Sequence, residues 1–152
     1  MRIKKLFLSI AAVCTIGLLL PACGRNERYS EETIDKALNV AIYAATVTNG
    51  EISPVDPALL QEKVSLDKIS HYGRDGAFIT VPFHFSDTTE YARITESHID
   101  QHIAISIDGE IVATPIVKMP ITDGACSVLL SKEQALKLFP KEKVEKLLIE
   151  TN

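Results

Sequence analysis

The stretch Ile103–Pro115, "IAISIDGEIVATP", decides the class of fold. Two apolar runs of strand length, Ile103–Ile107 and Ile111–Ala113, flank the pair Asp108-Gly109. A two-residue hairpin loop of type I′ needs positive φ at both central positions, which Asp-Gly adopts readily. The stretch therefore predicts antiparallel strands over 102–107 and 110–114. Pro115 follows with no N–H to donate, so it ends the strand or kinks a sheet edge.

On the C-terminal side, Met119-Pro120 interrupts the chain and Asp123-Gly124 turns it. Residues 125–130 form another apolar strand. Ser131 and Gln134 then match a capping box, the pairing that satisfies the free N–H groups at a helix start. Leu136, Leu138 and Phe139 belong to that helix. Pro140 restarts a last helix with apolar positions Val144, Leu147 and Leu148.

On the N-terminal side, Ser86–Thr89 opens a helix of about two turns with Tyr91 and Ile94 inward, and Thr95–Ile99 is a second capped turn. Residues 77–85, "AFITVPFHF", alternate as a strand. Pro82 places that strand at an edge or a bulge. Residues 64–72 read as a further strand, joined to it by the turn Gly73–Gly76. Asp56-Pro57 reads as a cap followed by a proline at the first helical position, opening a short helix to Lys63 after a loop over 51–57. Ser30 caps an amphipathic helix in which Ile34, Leu38, Ala41, Ile42 and Ala45 recur at helical spacing and Asn49-Gly50 is the stop. These elements predict an α+β fold, a largely antiparallel sheet with helices packed on one face, in a single compact domain.

The first residues, "MRIKKLFLSIAAVCTIGLLLPAC", carry Arg2, Lys4 and Lys5 ahead of an apolar run from Leu6 to Leu20. That run is shorter than the roughly 20 residues a spanning helix needs and suits a signal peptide. It meets Leu20-Pro21-Ala22-Cys23, which resembles a bacterial lipobox. The resemblance implies removal of residues 1–22, acyl chains on Cys23 and a membrane anchor through them. Residues 23–29 are then a polar tether too short to let the domain stray far from the bilayer. Gly24-Arg25-Asn26 after the cysteine points to a periplasm-facing position in the cell envelope.

Loss of residues 1–22 leaves 130 residues, enough for one core. The lost piece holds three basic residues and no acidic one, so the formal charge moves from −4 to −7. That balance argues against nucleic acid as a partner. Cys14 leaves with the signal and Cys23 is acylated, so Cys126 has no cysteine to pair with. A lone thiol is more often a small buried hydrophobe than a nucleophile.

Four histidines remain: His71, His84, His98 and His102. His98 and His102 have a zinc-like spacing only if one helix carries both, and here a capped turn passes into a strand between them. His71 and His84 could meet across the 73–76 turn, but two histidines make a poor site. No Gly-rich phosphate loop, nucleophile elbow or paired catalytic carboxylates stand out. Neither a metal nor a cofactor is implied.

The ordered series Thr95, Ile103-Ala104-Ile105, Ile107-Asp108-Gly109, Thr114-Pro115, Ile121-Thr122-Asp123-Gly124 and Ser131–Ala135 resembles the head subdomain of the large periplasmic domain of SecD, a protein-export accessory factor. The resemblance covers about residues 83–139. Asp123 stands where the family's loop has a glycine. The resemblance implies the α+β fold and contact with a protein or an extended polypeptide. It does not carry over the proton-coupled motor, which needs intramembrane carboxylates.

Together these readings predict a lipid-anchored envelope binding module without catalysis. Asp108, Gly109, Val112 and Pro115 are its expected partner-binding residues, through strand addition at a sheet edge. The alternatives are a structural or inhibitory lipoprotein sharing only the fold, and a metal- or thiol-dependent hydrolase.

Overall fold

The computed structural model describes residues 29–72 and 78–149. Cys23, the signal segment, most of the tether and the 73–76 turn lie outside these residues. The described chain is one domain with six strands and three helices. In order they are β1 Tyr29–Thr48, β2 Glu51–Tyr72, β3 Phe78–His84, α1 Thr88–Ser97, β4 Ile103–Ile107, β5 Glu110–Ala113, β6 Ala125–Ser131, α2 Lys132–Leu138 and α3 Lys141–Ile149. All the strands pair antiparallel in one sheet, in the order β5-β4-β1-β2-β3-β6. The sheet curls, so Cα atoms of the end strands β5 and β6 come within 8 Å of each other. The α+β expectation holds, as do the hairpin at 103–113, the strand at 125–131 and the capping box of Ser131 and Gln134.

Several expectations fail. Residues 30–45 form no helix but most of a 20-residue strand, and residues 51–63 form neither a loop nor a helix but part of β2. In β1 every second residue from Ser30 to Ile42 faces the helices and the core. Leu38, Val40 and Ile42 are fully buried there. The alternation is hard to see because Ser30, Glu32 and Lys36 also face inward, and all three are polar.

Their partners explain why the positions tolerate polarity. Ser30 Oγ donates to the Leu147 carbonyl at 3.5 Å, and Lys36 Nζ donates to the Leu138 carbonyl at 2.7 Å. Glu32 is paired with Lys143 and Lys146 of α3. These residues thus lace β1 to α2 and α3, where an apolar residue would be expected. The supposed helix stop, Asn49-Gly50, has φ of 53° and 83° and is a hairpin turn.

In β2, a cis peptide joins Asp56 to Pro57. Here β2 advances five residues, from Val55 to Leu60, while β1 advances two. The surplus bulges out of the strand. A second bulge lies in β1, where Asp35 has φ of 49°.

Pro82 is not on an edge strand: β3 lies between β2 and β6. Yet among the described residues β2 pairs with β3 only at Ser70↔Thr80 and His71↔Ile79, so Pro82 lies past the end of that ladder and faces Ser127 of β6. The turn expected over 95–99 is the end of α1, which runs to Ser97.

The core collects Val64, Leu66 and Ile69 of β2, Ile79, Val81 and Phe83 of β3, and Val128 and Leu130 of β6 against Ala135, Leu138, Val144 and Leu147. Tyr91 and Ile94 of α1 join it. Glu62, on the same face of β2 as Val64, accepts the Ser86 and Asp87 N–H groups at 2.7 and 3.4 Å and so fixes the entry to α1. β4 is buried at all five positions. Residues 30–72 are therefore the centre of the sheet, not a layer added to the matched second half.

Candidate interaction site

Outside the core, β1 and β2 are longer than their neighbours. β4 covers β1 only from Val40 to Ala44. Beyond Ala44 the two long strands pair only with each other among the described residues, Ala45↔Pro54 through Thr48↔Glu51. Four residues per strand at about 3.3 Å each make an arm of roughly 13 Å. Residues 46–51 and 53–57 are exposed, and Val47 and Val55 show 56% and 40% of their surface. The β2 side of the arm is blunted by Pro54 and Pro57, which cannot donate to an incoming strand. The β1 side, Ala45–Thr48, has no proline.

The same end of the sheet carries two more exposed apolar side chains. Ile103 of β4 pairs with Ala44, at the root of the arm. The segment before it holds Ile99, and the segment beside that holds Met119, exposed to 40% and 62%. Hydrogen bonds tie these two segments together: Asp100 N donates to the Val117 carbonyl at 2.7 Å, and Val117 N to the Gln101 carbonyl at 3.0 Å. Lys118 Nζ reaches Asp100 at 2.5 Å.

The sequence-predicted residues do not gather into one patch. Asp108 and Gly109 have φ of 49° and 87°, as the turn requires. An added Cβ at Gly109 would meet nothing within 4 Å, so the backbone angle alone demands glycine. Asp108 points back into the molecule. Its N–H donates to the Asn39 carbonyl at 2.8 Å, and its Oδ1 accepts the Asn39 N–H at 3.0 Å. Its Oδ2 lies 3.6 Å from Lys36 Nζ.

Val112 is buried in the core. Pro115 accepts the Ile103 N–H at 3.0 Å and closes the end of the β4–β5 hairpin. β5 does end the sheet. However, an inserted strand needs roughly 10 Å between its neighbours, and the approach of β6 to within 8 Å leaves little room where the two meet.

The residues of the SecD-like series hold the fold together. Thr95 Oγ1 accepts the Ile121 N–H at 2.9 Å, and Gly124 accepts the Phe85 N–H at 2.9 Å. Gly124 has φ of 75°, and a Cβ there would lie 2.5 Å from the Phe85 carbonyl oxygen. Asp123 Oδ1 accepts the Ala125 N–H at 3.0 Å, which shapes the loop before β6.

Each of the histidine rings His71, His98 and His102 contacts a backbone carbonyl close by in the fold: of Phe78 at 2.7 Å, of Ile94 at 2.8 Å and of Thr114 at 2.8 Å. His71 is buried and His84 exposed, on opposite faces of the sheet. Among the described residues no three metal-ligating side chains cluster.

Cys126 is half-buried and faces Tyr91. Burial pushes its thiol up to about 12, against hydrogen bonds from Tyr91 and the Ser127 backbone. Burial likewise raises Tyr91, with Cys126 beside it. A thiolate nucleophile needs the opposite shift.

No helix among the described residues is long and apolar enough to cross a membrane. No family model and no curated protein sequence matches the chain. Two solved structures share the fold distantly. One is of a membrane component SecDF that enhances protein export, at 14% identity and a TM-score of 0.42, with 78% of this chain and 63% of that chain covered. The other is of SecDF in a super-membrane-facing form, at 14% identity and 0.43, with 76% and 19% covered. The chain thus spans less than two thirds of either, and a likeness of this strength carries no weight on function.

Proposed function

We propose that this chain is an envelope binding module that holds an extended polypeptide and catalyses nothing itself. In this reading acyl chains on Cys23 anchor it, and the domain faces the periplasm. The observation that carries the reading is the arm. Among the described residues its Ala45–Thr48 edge has no pairing partner beyond β2, and it contains no proline and includes the exposed Val47. A strand added there meets backbone donors and acceptors, with Val47, Val55, Ile99 and Met119 as apolar contacts. The 110–115 segment is the second contact, through the part of its backbone that β6 does not approach. It offers backbone, since Val112 points inward. Asp108 and Gly109 serve by keeping that segment in place, and Pro115 marks its end.

A four-residue edge supplies about four backbone hydrogen bonds, worth about 2–6 kcal/mol together. That corresponds to affinities of about millimolar order, before the cost of ordering the peptide. Weak binding of this kind suits transient contact, and a membrane tether raises the local concentration that compensates for it.

Two measurements test the reading. Intact-mass spectrometry of the mature chain is expected to find diacylglycerol on Cys23, and an unmodified Cys23 removes the anchor. A photo-crosslinking residue at Val47, used in intact cells, is expected to capture polypeptide. The same residue at Tyr43, which pairs with Ala104 of β4, is the control. Equal yields at the two positions would refute the role of the arm.

A further inference from the structure

Seven large apolar side chains lie at the surface of the described residues. Isolated ones need no explanation. These fall at the two ends of the long hairpin: Val47, Val55, Ile99 and Met119 at the arm end, and Tyr29, Phe78 and Ile149 at the other. The second group is exposed to 58%, 54% and 68%.

Tyr29 opens β1 and pairs with Tyr72, the last residue of β2. His71 pairs with Ile79, so Phe78 is level with Tyr72 on the next strand. Tyr29 and Phe78 therefore stand in one row on one face, two strands or about 10 Å apart. Ile149 ends α3, whose Leu147 carbonyl accepts the Ser30 hydroxyl one residue along from Tyr29. The Tyr29 hydroxyl donates to Glu31, which leaves the ring as the exposed part.

We infer that this rim is a lipid-contacting surface, on which the domain rests against the bilayer interface. The inference builds on the anchored reading proposed above. The link from Cys23 to Tyr29 is six residues and reaches at most about 20 Å, so an acylated Cys23 keeps the rim within that distance of the membrane. Tyrosine, with an apolar ring and a polar tip, suits the interfacial zone. The mature chain's formal charge of −7 gives no net attraction to anionic headgroups, so apolar contact is the main seat. β1 runs from this rim to the arm in 20 residues, up to roughly 60 Å. Seating the rim therefore stands the long hairpin upright and holds the arm away from the lipid.

The chain contains no tryptophan, so a single introduced one reports its own surroundings. Full-length, acylated Phe78→Trp, Ile149→Trp and Val47→Trp chains are placed in phosphatidylcholine vesicles with or without bromine on shallow acyl carbons. The expected result is loss of more than about half the emission for Phe78→Trp and Ile149→Trp, as for indoles at the interface, and little loss for Val47→Trp. A chain that does not enter the vesicles overturns both the anchor and the seat. A chain that enters, yet leaves Phe78→Trp and Ile149→Trp no more quenched than Val47→Trp, overturns the seat alone. A blue shift that depends on protein concentration and not on bromine assigns the rim to a second copy of the chain and also overturns it.

Discussion

Asn49-Gly50 and Asp108-Gly109 are one turn built twice, with φ of 53° and 83° in the first and 49° and 87° in the second. Their surroundings differ. Asp108 exchanges two hydrogen bonds with Asn39 of β1 and approaches Lys36, so its turn is locked to the sheet. Asn49 lies beyond the last pairing of β1 with β4, at Ala44, and its turn stands clear. Local sequence sets the turn, whereas the lengths of the flanking strands decide whether anything supports it. β4 pairs with only five of β1's 20 residues; the stretch before Val40 is laced to α2 and α3, and the four residues after Ala44 become the exposed arm.

The contrast should show most strongly in stability along β1 itself. Leu38→Ala, in the fully buried middle, is expected to cost about 2–5 kcal/mol in chemical denaturation. Val47→Ala, in the arm, is expected to stay within about 0.5 kcal/mol. Similar losses at the two positions would mean that the arm is packed, not free.

A smaller difference separates the turns. Asp108→Ala removes the acceptor of the Asn39 N–H and is expected to cost about 1–3 kcal/mol. Asn49→Ala loses only a residue tolerant of positive φ, at a cost of about 1 kcal/mol or less. Lys36→Met, which releases the Leu138 carbonyl and the Asp108 carboxylate, should fall between, at about 1 kcal/mol.

The smallest effect concerns acid. Glu32 is held below its ordinary value near 4.5 by a hydrogen bond from Lys146, with Lys143 adding to it. A carboxyl lowered on folding stabilises the fold above that ordinary value, and the contribution disappears as pH falls through the folded pKa. Glu62 is also lowered: burial opposes its charge, but the hydrogen bonds from Ser86 and Asp87 outweigh it. Melting temperature is therefore expected to drop below about pH 4.5, and less steeply in Glu32→Gln than in the native chain.

The second half of the molecule was legible because its signals are local. A turn pair between apolar runs, a capping box and a two-turn helix each identify themselves within a few residues. β1 was not legible because three of its inward positions are polar, and the groups that justify them lie more than 100 residues away, in α2 and α3. With Ser30, Glu32 and Lys36 discounted, Leu38, Val40 and Ile42 show the alternation of a strand. Asn49-Gly50 carried the same hairpin signal as Asp108-Gly109, but after an apparent helix it resembled a stop. Pro57 misled in the same way, because a proline after aspartate opens helices as well as bulges. The arm follows from strand pairing, which no local motif encodes. Of the two edges expected from sequence, the 110–115 segment lies on β5 at an end of the sheet, whereas Pro82 lies on β3 inside it.

The measurement closest to the central claim compares binding at the two turns. Titration of an unfolded, fluorescently labelled polypeptide into vesicles carrying the full chain gives one affinity for each variant. Val47→Asp in the arm should weaken binding about tenfold or more, the equivalent of one lost apolar contact and its neighbouring edge, while Asp108→Asn leaves it within about twofold. Unchanged binding in Val47→Asp, or a larger loss in Asp108→Asn, would contradict the assignment of contact to the projecting arm.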